Sequence, residues 1–452
     1  MSLRYFGTDG IRGRVGVPPL TPPHLLQIAL AGGRHLVPAI TPGDRVMIAM
    51  DTRSSGPAIV EVLAAGLASL GLDVVPLGVL PTPALALATR LHQARFGIMV
   101  TASHNPAGDN GVKLFGPDGF KLAAEDEAAI EVAIAAGFDG QAVPVERFGT
   151  VAPDPSLDVR ARYIEQLVSS LPAGASLSGL KVVVDGANGA GFDLGPFLLR
   201  RLGAEVETIG TVPNGQNIND QVGSTHPAAL ARTVRAVRAD AGVALDGDGD
   251  RLIMVDEHGS VVDGDQLIGL LAGVLHREAA LEGGSVVTTV MSNLGLERHF
   301  KALNIAMPRT GVGDKHVVDA MRVGGFVLGG EQSGHIVMLR HGTTGDGLLA
   351  AVQVLAELKR DGRAFSDVSR VFDPVPQKLV NVRYSGSNPL ESGPVKAAIS
   401  EASAALGDEG RLVVRASGTE PKIRVMAEAL DPASMDAALT RVVSAVEAAA
   451  GT

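Results

Sequence analysis

Phe96-Gly97-Ile98-Met99-Val100-Thr101-Ala102-Ser103-His104-Asn105-Pro106 is the stretch from which the fold can be read. Five apolar residues run straight into a polar loop that closes on Asn-Pro. A short apolar run bounded by turn residues reads as a buried strand. Similar runs occur at 46–50, 181–184, 243–245 and 326–328, each ending abruptly in a polar or glycine-bearing loop. Alanine- and leucine-rich segments of helical periodicity lie between them, at 58–70, 230–238 and 348–358. Strands alternating with helices predict α/β units around mainly parallel sheets. Ligands bind such folds where loops leave the carboxyl ends of strands, so the residues after each run are the chemical candidates.

Composition narrows the class. The chain has 452 residues, 46% of them apolar, with no cysteine and no tryptophan. Its 56 glycines are well above the average of about 7%. They follow no Gly-X-Y period, which excludes collagen, and Ile, Leu and Val are too abundant for a disordered chain. Without cysteine there is no disulfide and no thiolate metal site. The net charge is −10 and no basic run appears, which argues against nucleic acid as a partner. An anionic ligand must therefore be met by local positive charge. No stretch approaches the ~18 apolar residues of a membrane span, and residues 1–7 lack a signal-peptide core, so the expectation is no membrane partner and a cytoplasmic location.

Proline-bearing segments at 149–157 and 372–377 read as linkers. A third boundary falls near 255–262, where 256–259 equally fits a hairpin turn. The expected domains are 1–154, 155–255, 256–370 and 371–452. The first three are α/β units of similar architecture. The last is smaller and α+β, with strands at 412–415 and 422–427 and helices at 394–406 and 432–449.

Five loops could carry chemistry. Ser103, on a loop after a strand, is a candidate nucleophile. No Gly-x-Ser-x-Gly elbow exists, and His104 is too close in sequence to serve as a triad base, so acyl transfer is not the obvious reaction. Asp246-Gly247-Asp248-Gly249-Asp250-Arg251 sets three carboxylates at alternate positions, with glycines that allow a tight turn. Three such carboxylates repel one another unless a hard cation gathers them. An EF-hand would place Glu257 at its twelfth position, but Arg251 stands where that loop needs glycine, and the flanks read as strands. A Mg²⁺ loop fits better, and Mg²⁺ calls for a phosphate nearby. Glu331-Gln332-Ser333-Gly334-His335 could present alternate groups to sugar hydroxyls. Gly345-Asp346-Gly347-Leu348-Leu349-Ala350 matches a dinucleotide pattern but follows no clear strand, so it reads as a glycine-rich helix start. Arg415-Ala416-Ser417-Gly418-Thr419-Glu420-Pro421-Lys422-Ile423-Arg424 fits either a phosphate cradle or a solvated hairpin. Gly7-Thr8-Asp9-Gly10-Ile11-Arg12-Gly13 is a further glycine-punctuated arginine loop.

Together, in this order and spacing, the loops resemble those of the α-D-phosphohexomutase superfamily over nearly the whole chain. The resemblance implies four domains around a central active-site cleft, each contributing one loop. Ser103 would be carried as a phosphoserine that gives its phosphoryl group to a small-molecule sugar phosphate. Asp246, Asp248 and Asp250 would hold Mg²⁺ together with an oxygen on Ser103. Lys113 would act as an acid/base helper beside His104, Arg12 and Arg251. Glu331, Ser333 and His335 fall at sugar-binding positions. Arg415, Ser417, Gly418, Thr419 and Arg424 fall at positions that grip the phosphate not being transferred. The Gly7–Gly13 wording and Gln332 resemble the glucosamine branch, which implies exchange between the 6- and 1-phosphates of glucosamine through a bisphosphate. Glucosamine or glucose 1,6-bisphosphate would act as activator, and the resemblance suggests a homodimer. A phosphomannomutase or phosphoglucomutase, a sugar phosphatase and a non-catalytic sugar-phosphate binder are the alternatives.

Overall fold

The computed structural model describes residues 4–7, 9–137, 143–417 and 421–450. It comprises two compact units, Met1–Val287 with Gly313–Arg370, and Thr288–Val312 with Val371–Thr452.

The first unit opens with β1 (Phe6–Gly7), β2 (Gly10–Arg14), β3 (Arg45–Met50), β4 (Asp73–Val79), β5 (Phe96–Val100) and β6 (Asp109–Phe115), in the order β1-β2-β6-β5-β3-β4. Helices Pro22–Leu36, Gly56–Ala68, Thr82–Leu91 and Ala124–Ala136 accompany it. Leu25, Ile28, Val46, Ile48, Leu63, Phe96, Ile98 and Val112 form its core. Each such side chain contributes about 1.5–3 kcal/mol on burial.

A second sheet holds β7 (Lys181–Asp185), β8 (Glu205–Ile209), β9 (Ala241–Leu245), β10 (Leu252–Asp256) and β11 (Val261–Val262), in the order β11-β10-β9-β7-β8. Residues 256–259 form a hairpin turn, fixed by Asp256 Oδ1 accepting from the main chain of His258 at 2.9 Å and Ser260 at 2.8 Å.

Both sheets are mixed rather than mainly parallel. β3 runs parallel to β4 and β5, and β7 to β8 and β9. The neighbours that follow, β6 beside β5 and β10 beside β9, are antiparallel. Parallel neighbours need a crossover of about a dozen residues or more. The loops after β5 and β9 are too short for that, so the chain reverses. Those two reversals are the Ser103 loop and the aspartate loop.

The rest of the first unit includes the start of β12 (Val286–Thr289), β14 (Leu328–Gly330) and β15 (Ile336–Met338). Val286 and Val287 pair parallel with Leu328 and Gly329, and β14 pairs antiparallel with β15. The strand expected at 326–328 begins only at Leu328. Gly325 ends the preceding helix at φ 66°, and Phe326 N–H still bonds back to Met321 O at 2.9 Å.

In the second unit, Thr288 and Thr289 of β12 pair parallel with β13 (Arg309–Thr310). β16 (Gln377–Arg383), β17 (Gly410–Ala416) and β18 (Lys422–Ala429) form an antiparallel sheet in the order β16-β18-β17. Helices Gly393–Leu406 and Pro432–Ala450 pack Val395, Ala402, Val442 and Val446 onto Val425 and Ala427. This is the expected α+β arrangement.

Candidate active site

Ser103 leaves β5 in a left-handed conformation, φ 52°, and is fully buried. Its N–H is held by Thr101 Oγ1 at 2.8 Å. Its hydroxyl donates to Asp246 Oδ2 at 2.7 Å, which joins the first sheet's loop to the second's. His104 Nδ1 lies 3.2 Å from the same hydroxyl. Sequence adjacency argues against that contact; the left-handed turn at Ser103 folds the two side chains together. Burial, then Arg251 and Arg12, push the His104 pKa down to about 4, so its ring is neutral near pH 7.

Asp246, Asp248 and Asp250 are buried on the loop between β9 and β10, with one oxygen of each within 4.8 Å of the others. Among the described residues this is the one cluster of three or more acidic or histidine groups able to hold a metal. Asp248 Oδ2 accepts from Thr82 Oγ1 at 2.5 Å and Lys113 Nζ at 2.7 Å. Asp248 Oδ1 and Asp250 Oδ1 are buried and accept no hydrogen bond. Burial, with Asp250 and Asp248 beside it, pushes the Asp246 carboxyl well up. Buried acceptors without donors and a carboxylate unstable as an anion fit a small hard cation. Glu257 is not part of this cluster. It accepts from Ser366 N at 3.0 Å, which removes the EF-hand alternative.

A ring of alternating charge adjoins the cluster. Lys113 Nζ, on β6, lies 3.1 Å from Asp250 Oδ2 and 3.0 Å from Asp9 Oδ2. Lys121 bridges Asp9 and Asp314. Asp314 Oδ2 lies 3.2 Å from His335 Nε2, and His335 Nδ1 lies 3.7 Å from Asp250 Oδ1, closing the ring. Arg12, on β2, pairs with Asp9. Burial opposes the charged forms here, but the ring outweighs it. Lys113 is held well above its usual pKa by Asp248, Asp250 and Asp9, and Asp9 well below its own by Lys113, Lys121 and Arg12. Asp314 and Asp250 raise His335 to about 10. Arg251 is likewise raised by Asp246 and Asp250, and its N–H donates to Asp246 Oδ1 at 3.2 Å.

The sugar-loop candidates do not form a single row. Residues 331–334 make a turn, with Gly334 N–H bonded to Glu331 O at 2.9 Å, so Ser333 is exposed while Glu331 and His335 are buried. Glu331 Oε1 accepts from Gly313 N at 3.0 Å. Gln332 Nε2 donates to Asp263 Oδ2 at 3.2 Å, tying the loop to the residue that caps helix Gly264–Arg277. A Cβ on Gly345 would stand 2.4 Å from the His335 ring, so the close approach requires glycine. Gly345 leads into helix Gly347–Asp361, capped by Asp346, as the helix-start reading expects.

In the second unit, Arg415 on β17 stands directly opposite Arg424 on β18. Two like charges directly opposed on neighbouring strands disfavour each other, and an anion between them would ease that. Ser417 follows the end of β17. Gly418 and Thr419, like Thr8, lie outside the described residues.

Four family models match in succession. They are the phosphoglucomutase/phosphomannomutase alpha/beta/alpha domains I, II and III, at residues 3–140, 161–259 and 263–375, and the C-terminal domain, at residues 379–445. The chain belongs to the phosphoglucomutase/phosphomannomutase family. It is 50% identical over 451 residues to the phosphoglucosamine mutase of Caulobacter vibrioides, covering 99% of this chain and 100% of that one. The phosphoglucosamine mutase of Sphingopyxis alaskensis is 50% identical over 450 residues, covering 99% of each chain. A phosphoglucomutase/phosphomannomutase family protein from Burkholderia thailandensis superposes with a TM-score of 0.82 at 25% identity, over 99% of this chain and 98% of that one.

Several residues of this family member's site escape sequence reasoning. Asp9 sits inside a loop already singled out, but a lone aspartate there carries no local signal. Asp314 follows Gly311-Val312-Gly313, a glycine-punctuated polar stretch that could have drawn attention. Arg53 and Thr82 each lie just beyond the end of a strand, β3 and β4, where the loop rule points. Lys121 and Asn219 carry no sequence signal. Chemically, a buried hydroxyl, three carboxylates and a cluster of cations can accept and pass on a phosphoryl group while balancing its charge.

Proposed function

We propose that the chain interconverts glucosamine 6-phosphate and glucosamine 1-phosphate through glucosamine 1,6-bisphosphate, as an intramolecular phosphotransferase of the isomerase class. The observation that carries the chemistry is the Ser103 hydroxyl, 2.7 Å from Asp246 within the aspartate cluster. The amino sugar is drawn from the two mutases that match end to end at 50% identity.

In this reading Ser103 carries the phosphoryl group. The Oγ–P bond breaks as the free hydroxyl oxygen at position 1 or 6 of the sugar phosphate bonds to phosphorus, and the proton which that hydroxyl gives up is balanced by the one Ser103 Oγ regains. The bisphosphate turns around, and its other phosphoryl group returns to Ser103. Asp246, Asp248 and Asp250, with an oxygen on Ser103, would hold Mg²⁺, which supplies Lewis-acid stabilisation of the transferring oxygens. Lys113 and Arg251, with Arg12 beside Asp9, provide the local positive charge that a −10 chain otherwise lacks. Against burial, Lys113 is held protonated by Asp248, Asp250 and Asp9, so it enters as fixed positive charge and hydrogen-bond donor to the transferring oxygens. Neutral His104 can donate its Nδ1–H to the Ser103 oxygen, whose own proton goes to Asp246. Glu331, Ser333 and His335 bind sugar hydroxyls, and Arg415, Ser417, Gly418, Thr419 and Arg424 bind the phosphate that stays on the sugar. The four domains are those expected, 1–154, 155–255, 256–370 and 371–452, except that β11 pairs with β10 and so carries the second domain on to Val262. The reading includes a cytoplasmic homodimer, which light scattering tests.

The deciding experiment compares kcat/KM for the 1-phosphates of glucosamine, glucose and mannose, with a hexose 1,6-bisphosphate present. Glucosamine 1-phosphate should be preferred. A preference for glucose or mannose overturns the amino-sugar assignment, and stoichiometric release of inorganic phosphate overturns the mutase.

A further inference from the structure

Arg53 is among the largest fully buried side chains, at 1% exposure, and its guanidinium bonds are to Asp51 and to main-chain oxygens rather than to a side chain assigned to substrate or metal. Its guanidinium donates to four main-chain carbonyls of the nucleophile loop: Ser103 at 3.0 Å, Asn105 at 2.8 Å, Asp109 at 3.1 Å, and Pro106. Asp51 orients it, accepting from Arg53 Nε at 2.9 Å and from its N–H at 2.9 Å. The same carboxylate accepts from Thr101 Oγ1 at 2.7 Å, the hydroxyl that holds the Ser103 N–H.

A second clamp comes from the other sheet's segment. Asn219 Nδ2 donates to Ser103 O at 2.9 Å and Asn105 O at 3.1 Å. Asn219 is itself left-handed, φ 59°, with its N–H on Ala187 O at 2.9 Å. The aspartate loop closes on the same carbonyl, since a Cβ on Gly247 would stand 2.4 Å from Ser103 O.

A serine at φ 52° is strained, and such a conformation persists only where its surroundings over-determine it. Here the carbonyl of that residue is gripped from two directions while its hydroxyl meets Asp246. We propose that Arg53 and Asn219 are positioning residues that hold Ser103 left-handed, so that Oγ stays aimed at the aspartate cluster. This rests on the reading that Ser103 carries the phosphoryl group. A serine that must serve both half-reactions has to stand in one place for each, and a misplacement of about 1 Å costs on the order of 10²-fold in rate.

The test uses the full chain and two variants. Asn219→Asp keeps the size and tolerates the left-handed backbone, but sets a carboxylate against two carbonyls. Arg53→Lys keeps a charge opposite Asp51 but cannot reach four carbonyls. Hydrogen exchange is followed in the 103–109 amides, and kcat and KM are measured with glucosamine 1-phosphate and saturating 1,6-bisphosphate. The expected result is exchange faster by roughly fivefold to tenfold in that loop alone, kcat lower by on the order of 10²-fold, and KM within about twofold. Unchanged loop exchange or an unchanged kcat in a folded variant, or a kcat loss matched by global unfolding in Asn219→Asp, overturns the proposal. If Arg53→Lys does not fold, Asn219→Asp decides. A wild-type protein inactive on every hexose phosphate overturns the phosphoryl-carrier reading, and with it the catalytic half of this proposal, while the exchange measurement still decides the clamp.

Discussion

Lys113 Nζ lies 2.7 Å from Asp248 Oδ2, and neither side chain reaches solvent. The same ammonium serves Asp250 at 3.1 Å and Asp9 at 3.0 Å. Removing one partner of a buried pair costs about 3–5 kcal/mol, because the other charge stays buried and uncompensated. Lys113→Met should therefore lower stability by about 3 kcal/mol without divalent metal, and added Mg²⁺ should recover more of that in the variant than it gives the wild type. Thermal denaturation with EDTA and with Mg²⁺ measures both. A variant as stable as wild type in EDTA would contradict the role of Lys113 as counter-charge.

Ser103→Ala removes the hydroxyl that meets Asp246 and His104 but leaves the clamped main chain in place. Mutase turnover should fall by at least about 10³-fold with little change in thermal stability. Intact mass after incubation with the 1,6-bisphosphate should show one added phosphate on the wild type and none on the variant. Full activity in the variant would sink the phosphoserine reading.

Chelation should abolish turnover, and Mg²⁺ should restore it. Asp248→Asn removes one anionic ligand, leaving Asp246 and Asp250, and should weaken Mg²⁺ binding at least about tenfold in a calorimetric titration. Equal affinity in the variant would place the metal elsewhere.

Asp346 Oδ1 accepts both Tyr163 O–H at 2.8 Å and Leu349 N–H at 2.9 Å. Burial pushes its carboxyl up to about 6 despite those bonds. A carboxyl with a raised folded pKa stabilises the fold most below its unfolded value, and that contribution is lost as pH rises through about 6. Asp346→Asn keeps the accepting oxygen and cannot ionise. Relative to wild type it should gain about 1–3 kcal/mol between pH 4 and pH 8. Urea titrations at the two pH values check this, and a difference that does not change with pH would contradict it.

Arg415 and Arg424 face each other across β17 and β18. Arg424→Ala relieves that opposition, so stability should hold or rise by a few tenths of a kcal/mol. If the pair binds phosphate, KM for the sugar phosphate should rise about tenfold or more while kcat changes less. A kcat loss with unchanged KM would remove Arg424 from phosphate binding.

The strand at 96–100, the aspartate spacing at 246–250 and the C-terminal α+β pattern are legible from sequence because each depends on neighbours a few residues away. Local hydrophobic period and glycine placement suffice there. The mixed sheets are less so: antiparallel pairing at β6 and β10 follows from loop length, which a run-by-run reading overlooks. The strand start at Leu328 was shifted by a helix cap whose bond reaches back to Met321.

What the sequence by itself determined is the inventory: a serine on a strand-end loop, three aspartates poised for a hard cation, arginines for phosphate, and an α/β frame to carry them. What only the tertiary structure decided is their state. Burial opposes the Lys113 charge, but Asp248, Asp250 and Asp9 favour it. Burial favours a neutral His104, and Ser103 stands left-handed with its carbonyl bonded to Arg53 and Asn219. The two links of the Asp9–Lys121–Asp314 chain span 112 and 193 residues. Charge interactions and burial act through space, at a few ångströms, and sequence spacing carries no record of them.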